Sequence, residues 1–139
     1  MYWMMMPLRR YADFSGRSCR KEFWMFTLLN FLILAGIFIA MFLFAGMGNM
    51  QASQGFFGLT GVFISMACIY GLAIIIPWIA VQVRRFHDQD KSGWMVLLNF
   101  VPYVGGIIVL VFMCLEGTKG ENSYGPDPRS DDMRFSQMP

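Results

Sequence analysis

Hydrophobic and polar positions fall in long blocks along this chain, without the period-two alternation of a half-buried strand or the single apolar stripe of a soluble surface helix. From Phe23 to Val83 there is no Asp, Glu, Lys or Arg. Two apolar runs lie in that stretch, Phe23–Phe44 and Phe56–Val83. Each reaches the roughly 20 residues that a helix needs to cross a bilayer. The pattern predicts two spanning helices joined by the polar, glycine-rich loop Gly46–Gly55. Phe23–Phe44 is too long for the apolar core of a secretory signal and lacks a following small-residue cleavage site, so it reads as an uncleaved span. Asn30 is its strongly polar residue and is expected to hydrogen-bond across to another helix. In the second run Gly58, Gly61 and Gly71 offer close-packing surfaces, and Pro77 is expected to kink the helix late in its course.

A third apolar run, Trp94–Leu115, is interrupted by Pro102-Tyr103-Val104-Gly105-Gly106. It either crosses as one kinked helix, leaving the tail outside, or turns at Pro102–Gly106 as a re-entrant hairpin of two half-length helices that returns the tail inside. A re-entrant turn needs cover from protein or water. The tail residues Lys119, Arg129 and Arg134 favour the hairpin. Ahead of the first run, residues 1–22 read as an interfacial segment in which Pro7 weakens a continuous helix. Asp13–Gly16 reads as a turn, and Ser18 as the cap of a helix starting near Cys19 with Glu22 in its first turn. Ser92-Gly93 is expected to end the second helix. Residues 116–139 form a polar tail, dense in turn residues to Pro128 and expected to be disordered after about residue 128. The fold class is all-α, a small multi-pass transmembrane helix bundle over residues 23–115 with two clear spans and a third apolar segment.

Composition sharpens this picture. The chain is 56% hydrophobic and 14% charged, where a soluble domain carries about 25% charged residues. The formal net charge of +2 is too small to imply nucleic acid. The basic residues are unevenly placed: Arg9, Arg10, Arg17, Arg20 and Lys21 precede the first run, the first loop has none, and Arg84, Arg85 and Lys91 follow the second run. That asymmetry puts the N-terminus and the second loop in the cytoplasm. Cys19, Cys68 and Cys114 show no metal-ligand spacing and no even-numbered disulfide framework, so neither a metal nor a cofactor is expected.

The candidate chemistry gathers in Arg84–Trp94, which holds the single histidine. Spacings of three and four place Arg84, His87, Asp88 and Lys91 on one helix face, with Arg85 three residues before Asp88. A first reading is a binding module. Arg17, Arg20, Lys21, Arg84, Arg85 and Lys91 would meet at the cytoplasmic surface and hold an anionic lipid head group. Against it, the same residues are topology determinants that pair with Glu22, Asp88 and Asp90. A second reading is an enzyme with His87 as base beside Asp88 and Ser18 or Cys19 as nucleophile. Adjacent helical residues point about 100° apart, and no nucleophile elbow, metal-ligand pair or phosphate loop is present. His87 hydrogen-bonded to a backbone carbonyl or to the tail is the simpler expectation. A transporter or channel subunit is a third reading, weakened by the lack of ionisable groups inside the runs. If the tail is cytoplasmic, Asp127 is in position to pair with Arg17, Arg84 or Arg85 and close a polar cap. The candidate site is therefore Arg17, Arg20, Arg84, Arg85, His87, Asp88, Lys91 and Asp127. Membrane lipids, a second copy or another membrane protein are the expected partners.

Three pieces stand in order, separated by the apolar runs: Phe14-Ser15-Gly16-Arg17-Ser18 with Arg20-Lys21-Glu22-Phe23-Trp24; Arg84-Arg85-Phe86-His87-Asp88 with Asp90 and Ser92-Gly93-Trp94; and Gly117-Thr118 with Gly120, Asn122 and Tyr124-Gly125-Pro126-Asp127-Pro128. Together they resemble the bacterial inner-membrane family called domain of unknown function 805, over roughly residues 10–128. The resemblance implies a small multi-pass protein of the bacterial inner membrane. It brings no activity, substrate or cofactor with it.

Overall fold

The computed structural model describes residues 2–47 and 53–129. Most of the loop expected at Gly46–Gly55, the packing expected at Gly58, and the segment expected to be disordered after about residue 128 lie outside what is described. The regular elements are helical: α1 (Tyr2–Arg9), α2 (Arg20–Met47), α3 (Ser53–Asp88), a 3-10 helix (Gly93–Phe100) and α4 (Gly105–Cys114). They form two compact parts. One comprises Thr27–Ile75, and the other comprises the chain up to Phe26 together with the chain from Ile76 onward.

The part over Thr27–Ile75 holds the outer lengths of α2 and α3. Both helices are long and apolar enough to cross a membrane, and only 11% and 6% of their most apolar windows are buried. A core helix of a soluble protein would be covered; these helices present Phe31, Phe42, Ile69 and Leu72 outward. Asn30 does what its polarity requires in such surroundings. Its Oδ1 accepts a 2.7 Å hydrogen bond from the Tyr70 hydroxyl of α3. Gly61 and Gly71, expected to let another helix approach, have open space where a Cβ would stand, so among the described residues they pack against nothing.

In the other part, α1 forms despite Pro7, which is buried. Pro7 is the sixth of its eight residues, so the short helix continues only two residues past the bond that proline cannot donate. The turn after it is an Asx turn: the Asp13 carboxylate accepts the Ser15 N–H, and Gly16 takes φ +74°. α2 begins at Arg20, so Ser18 stands two residues ahead of it, and its hydroxyl donates to Glu22. α3 runs through Pro77 and stops at Asp88, earlier than Ser92-Gly93. The reason is Asp90, which adopts the left-handed conformation at φ 55°. Asp90 N–H then bonds His87 O and Lys91 N–H bonds Phe86 O, both at 3.0 Å, the paired closure of a Schellman motif.

The third apolar run is a hairpin and not a single helix. The Ser92 side chain caps its first arm, which is a 3-10 helix. Tyr103, at φ 66° and 96% exposed, sits at the apex. α4 packs back along the first arm, with Gly105 buried against Leu98 and Val101. At rises of about 2.0 and 1.5 Å per residue each arm is ~15 Å long, half of a bilayer core. A Cβ at Gly105 would collide with the Leu98 carbonyl oxygen. Gly105→Ala should therefore open the turn at a cost of about 1–3 kcal/mol, read as a lowered unfolding midpoint of the purified protein in detergent; an unchanged midpoint would contradict this packing.

Candidate functional site

The site grows from the two ends of α3 and α4. The last carbonyls of a helix have no partner within it and need one from elsewhere. At α3, His87 O accepts Asn122 Nδ2 at 2.9 Å, and Asp88 O accepts both the N–H (2.8 Å) and hydroxyl (3.1 Å) of Thr118; one turn earlier, Arg84 O also accepts the Ser18 N–H at 3.1 Å. At α4, Phe112 O accepts Gln89 Nε2 at 2.5 Å, and Leu115 O accepts Arg20 Nε at 2.9 Å together with the Arg85 guanidinium. Two cations at the negative end of α4 also suit its macrodipole. The N-terminal loop, the end of α3, the end of α4 and the tail are thus sewn together by backbone acceptors.

Asp88 is the centre of this seam. It is buried, and its two oxygens are divided between two buried arginines. Oδ1 faces Arg17, with Nε at 3.0 Å and Nη2 at 2.9 Å, and Oδ2 pairs with Arg85. Arg17 spends its other donors on the tail. Nη1 bonds Gly120 O (2.5 Å) and Gly125 O (3.2 Å), and Nη2 bonds Thr118 O (2.6 Å) and Thr118 Oγ1 (3.2 Å). The planar fork of arginine makes this many bonds in fixed directions; a lysine would not. Gly117 is required here because a Cβ would strike the Asp88 carboxylate. Arg84 is equally buried but is held differently. Its Nη2 lies 3.2 Å from Glu22 Oε1, without the alignment of a hydrogen bond, so charge alone joins them.

The remaining candidates spread outward. His87 is half-buried, with Nδ1 3.2 Å from Gly16 O. That carbonyl only accepts, so Nδ1 carries the proton. The ring stacks on Tyr124 with centroids 3.9 Å apart and planes 5° from parallel. Asp88, committed to Arg17 and Arg85, has no oxygen left to orient His87 as a base. Lys91 does not share the arginine face, because α3 has already ended. Its Nζ stands 5.4 Å from the Phe112 ring centroid, within cation–π range. Arg20 is exposed apart from its bond to Leu115. The tail partners of Arg17 are the carbonyls of Thr118, Gly120 and Gly125 and the Thr118 hydroxyl, and Asp127 has nearer partners. It pairs with Arg129 two residues on, at 3.0 Å, and accepts the Gly120 N–H at 3.3 Å. Asp90, expected among the partners of the basic cluster, accepts the Ser123 N–H at 3.3 Å. Among the described residues no group of His, Cys, Asp and Glu gathers to hold a metal ion.

These contacts draw on all three motifs of the sequence, and comparison with known proteins agrees. The family described as protein of unknown function (DUF805) matches residues 11–126. The chain belongs to the DUF805 family. Among its relatives in Escherichia coli (strain K12), inner membrane protein YhaH is 41% identical, over 93% of this chain and 98% of the relative. Inner membrane protein YhaI is 43% identical, over 93% and 97%. No solved structure matches. In this DUF805 chain the residues that sequence reasoning passed over are Thr118, Asn122, Tyr124 and Arg129. They stand in or just beyond the third motif, whose density of turn residues was the available signal.

Asp88→Asn would leave Arg17 and Arg85 buried without a counter-charge, at a cost of about 3–5 kcal/mol. Lys91→Ala should cost less than about 1 kcal/mol. Chemical unfolding in detergent separates the two, and equal losses would contradict the central role of Asp88. Asp127 supplies a pH prediction. Partial burial pushes its carboxyl upward, but the Arg129 side chain and N–H and the Gly120 N–H outweigh it and hold the pKa at about 2, against an ordinary 3.8. Because the folded value lies below the unfolded one, this contribution to tail order is complete above about pH 4 and is lost as pH falls through about 2. A carboxyl NMR titration should find that midpoint, and Arg129→Ala should move it up toward 3.8.

Proposed function

We propose that this chain is a non-enzymatic module of the bacterial inner membrane, crossing it twice through α2 and α3, with the N-terminal segment, the second loop and the tail all on the cytoplasmic face. The third apolar run then dips into the cytoplasmic leaflet and returns, and the cytoplasmic end displays a basic surface for an anionic lipid or a partner protein. The observation that carries this reading is Arg17. It bonds Asp88 at the end of α3 and the carbonyls of Thr118, Gly120 and Gly125 in the tail, which supports a topology with all three segments on one side of the membrane. Arg9, Arg10, Arg17, Arg20, Lys21, Arg84, Arg85, Lys91, Lys119 and Arg129 belong to that same compact part, while Thr27–Ile75 carries no charge. A one-sided basic surplus of this kind favours the cytoplasmic side.

The hairpin fits the same reading. Its arms are half a bilayer long, it has no charge between Lys91 and Glu116, and Trp94 stands 79% exposed at its base, the place of an interfacial anchor. Reporter fusions test the topology. A reporter active only in the cytoplasm should work when fused after Pro139, and one active only in the periplasm should work when inserted after Gln51. A periplasmic signal from the C-terminus would overturn the proposal.

A further inference from the structure

Arg17 and Arg85 are committed to Asp88 and to backbone carbonyls, and Arg84 is fully buried beside Glu22, so recognition of an outside anion falls to the more exposed residues. Beside the seam lies a cleft of about 640 Å³ between the start of α2 and the tail, within one compact part of the protein. That volume is in the range of small-ligand sites, roughly 300–1,000 Å³. Arg20, Lys21, Lys119 and Arg129 line it, opposed by Glu116 and Asp127 at the rim. Asp88 forms part of its floor, but two arginines behind it already outweigh that single charge. Asp127 is matched by Arg129, and the Glu116 carboxylate reaches no closer than 3.6 Å to the same guanidinium. The balance in the cleft is positive. Arg20 also opens a 28-residue helix, whose first N–H groups and dipole favour an anion at that end.

The geometry points to the phosphate of an anionic phospholipid head group as the occupant of this cleft. Two observations favour a lipid over a free phosphate, and a third supplies the phosphate contact itself. The cleft opens at the end of helices that are long and apolar enough to cross a membrane. Leu115, at the end of α4 and bonded by Arg20, is exposed, as are Val111 and Ile108 further along that helix, which gives acyl chains an apolar path. Arg20 keeps the paired N–H groups of its guanidinium for a phosphate oxygen pair while Nε holds Leu115 O. The inference rests on the membrane-module reading and names the residues and ligand class of its basic surface.

The test is native mass spectrometry of the full-length protein in detergent, titrated with phosphatidylglycerol, phosphatidylcholine and soluble glycerol phosphate. The wild type should bind phosphatidylglycerol at least about tenfold more tightly than phosphatidylcholine. An excess of glycerol phosphate should not displace it. Arg20→Gln/Lys119→Gln should abolish the preference. Lys119→Glu should do the same, and since Lys119 makes no hydrogen bond or ion pair among the described residues, that change leaves the fold intact. Arg9→Gln, an exposed charge outside the cleft, should keep the preference. If the cleft variants retain it, the cleft assignment fails while a basic surface elsewhere at this end survives. If the wild type shows no preference, the assignment and the lipid-binding reading fail together. Displacement by glycerol phosphate would replace the lipid with a free phosphate ester and overturn the proposal.

Discussion

A carboxylate that must neutralise two buried arginines holds this protein's polar end together. Taking an ion out of water costs several kcal/mol unless it is paired and its remaining hydrogen-bonding capacity is met. Asp88 meets that demand for Arg17 and Arg85 at once. The consequence reaches well beyond one ion pair. With Asp88 occupying one edge of its guanidinium, Arg17 has donors left only in the direction of the tail, and three tail residues turn their carbonyls to it. Arg85, held by the same carboxylate, directs its far nitrogen to Leu115 O and closes the end of α4. One side chain on α3 therefore fixes where the tail lies and where the hairpin finishes.

The tail is shaped to meet this demand. Asn122 and Gly125 exchange backbone hydrogen bonds of 3.2 and 3.1 Å, which bends the chain into a tight turn. Gly120 at φ +79° and Gly125 at φ +128° take backbone conformations that side chains disfavour, and these are two of the residues whose carbonyls receive Arg17. Asn122 adds a clamp by donating to His87 O and Thr118 Oγ1. His87, the residue with the most obvious chemistry in the sequence, is part of the same fastening, stacked on Tyr124 and bonded to Gly16. Its position between the N-terminal turn and the tail is that of a spacer joining two loops.

How much of this was legible in the sequence depended on what kind of partner each residue found. Uncharged runs announced α2 and α3, and a lone Asn30 announced a polar partner, because an apolar solvent leaves few alternatives. Pro102 and the glycine pair marked the hairpin turn, and the spacing of Arg85 and Asp88 exposed their ion pair. Lys91 was misplaced because one residue, Asp90, turned left-handed and ended the helix before the expected face was complete. Asp127 has a local partner that the sequence reading did not weigh: Arg129, two residues away, pairs with it at almost no entropic cost. Arg17 was the hardest case. Most of its partners are backbone carbonyls, and a carbonyl looks the same whatever residue carries it.

The division between buried and rim charges sets what this end of the protein is able to recognise. An arginine in the position of Arg17 or Arg85 cannot turn to a ligand without abandoning Asp88 and several carbonyls, each of which would then be buried without a partner. Such residues specify the fold and are silent toward visitors. Arg20 and Lys119 differ because they are exposed, and for Lys119 an incoming anion costs no internal bond. Charges of this kind tune selectivity and association more than stability. The strong basic signal of the sequence therefore separates by burial: Arg17 and Arg85 close the structure through Asp88, while Arg20 and Lys119 stay exposed at the surface.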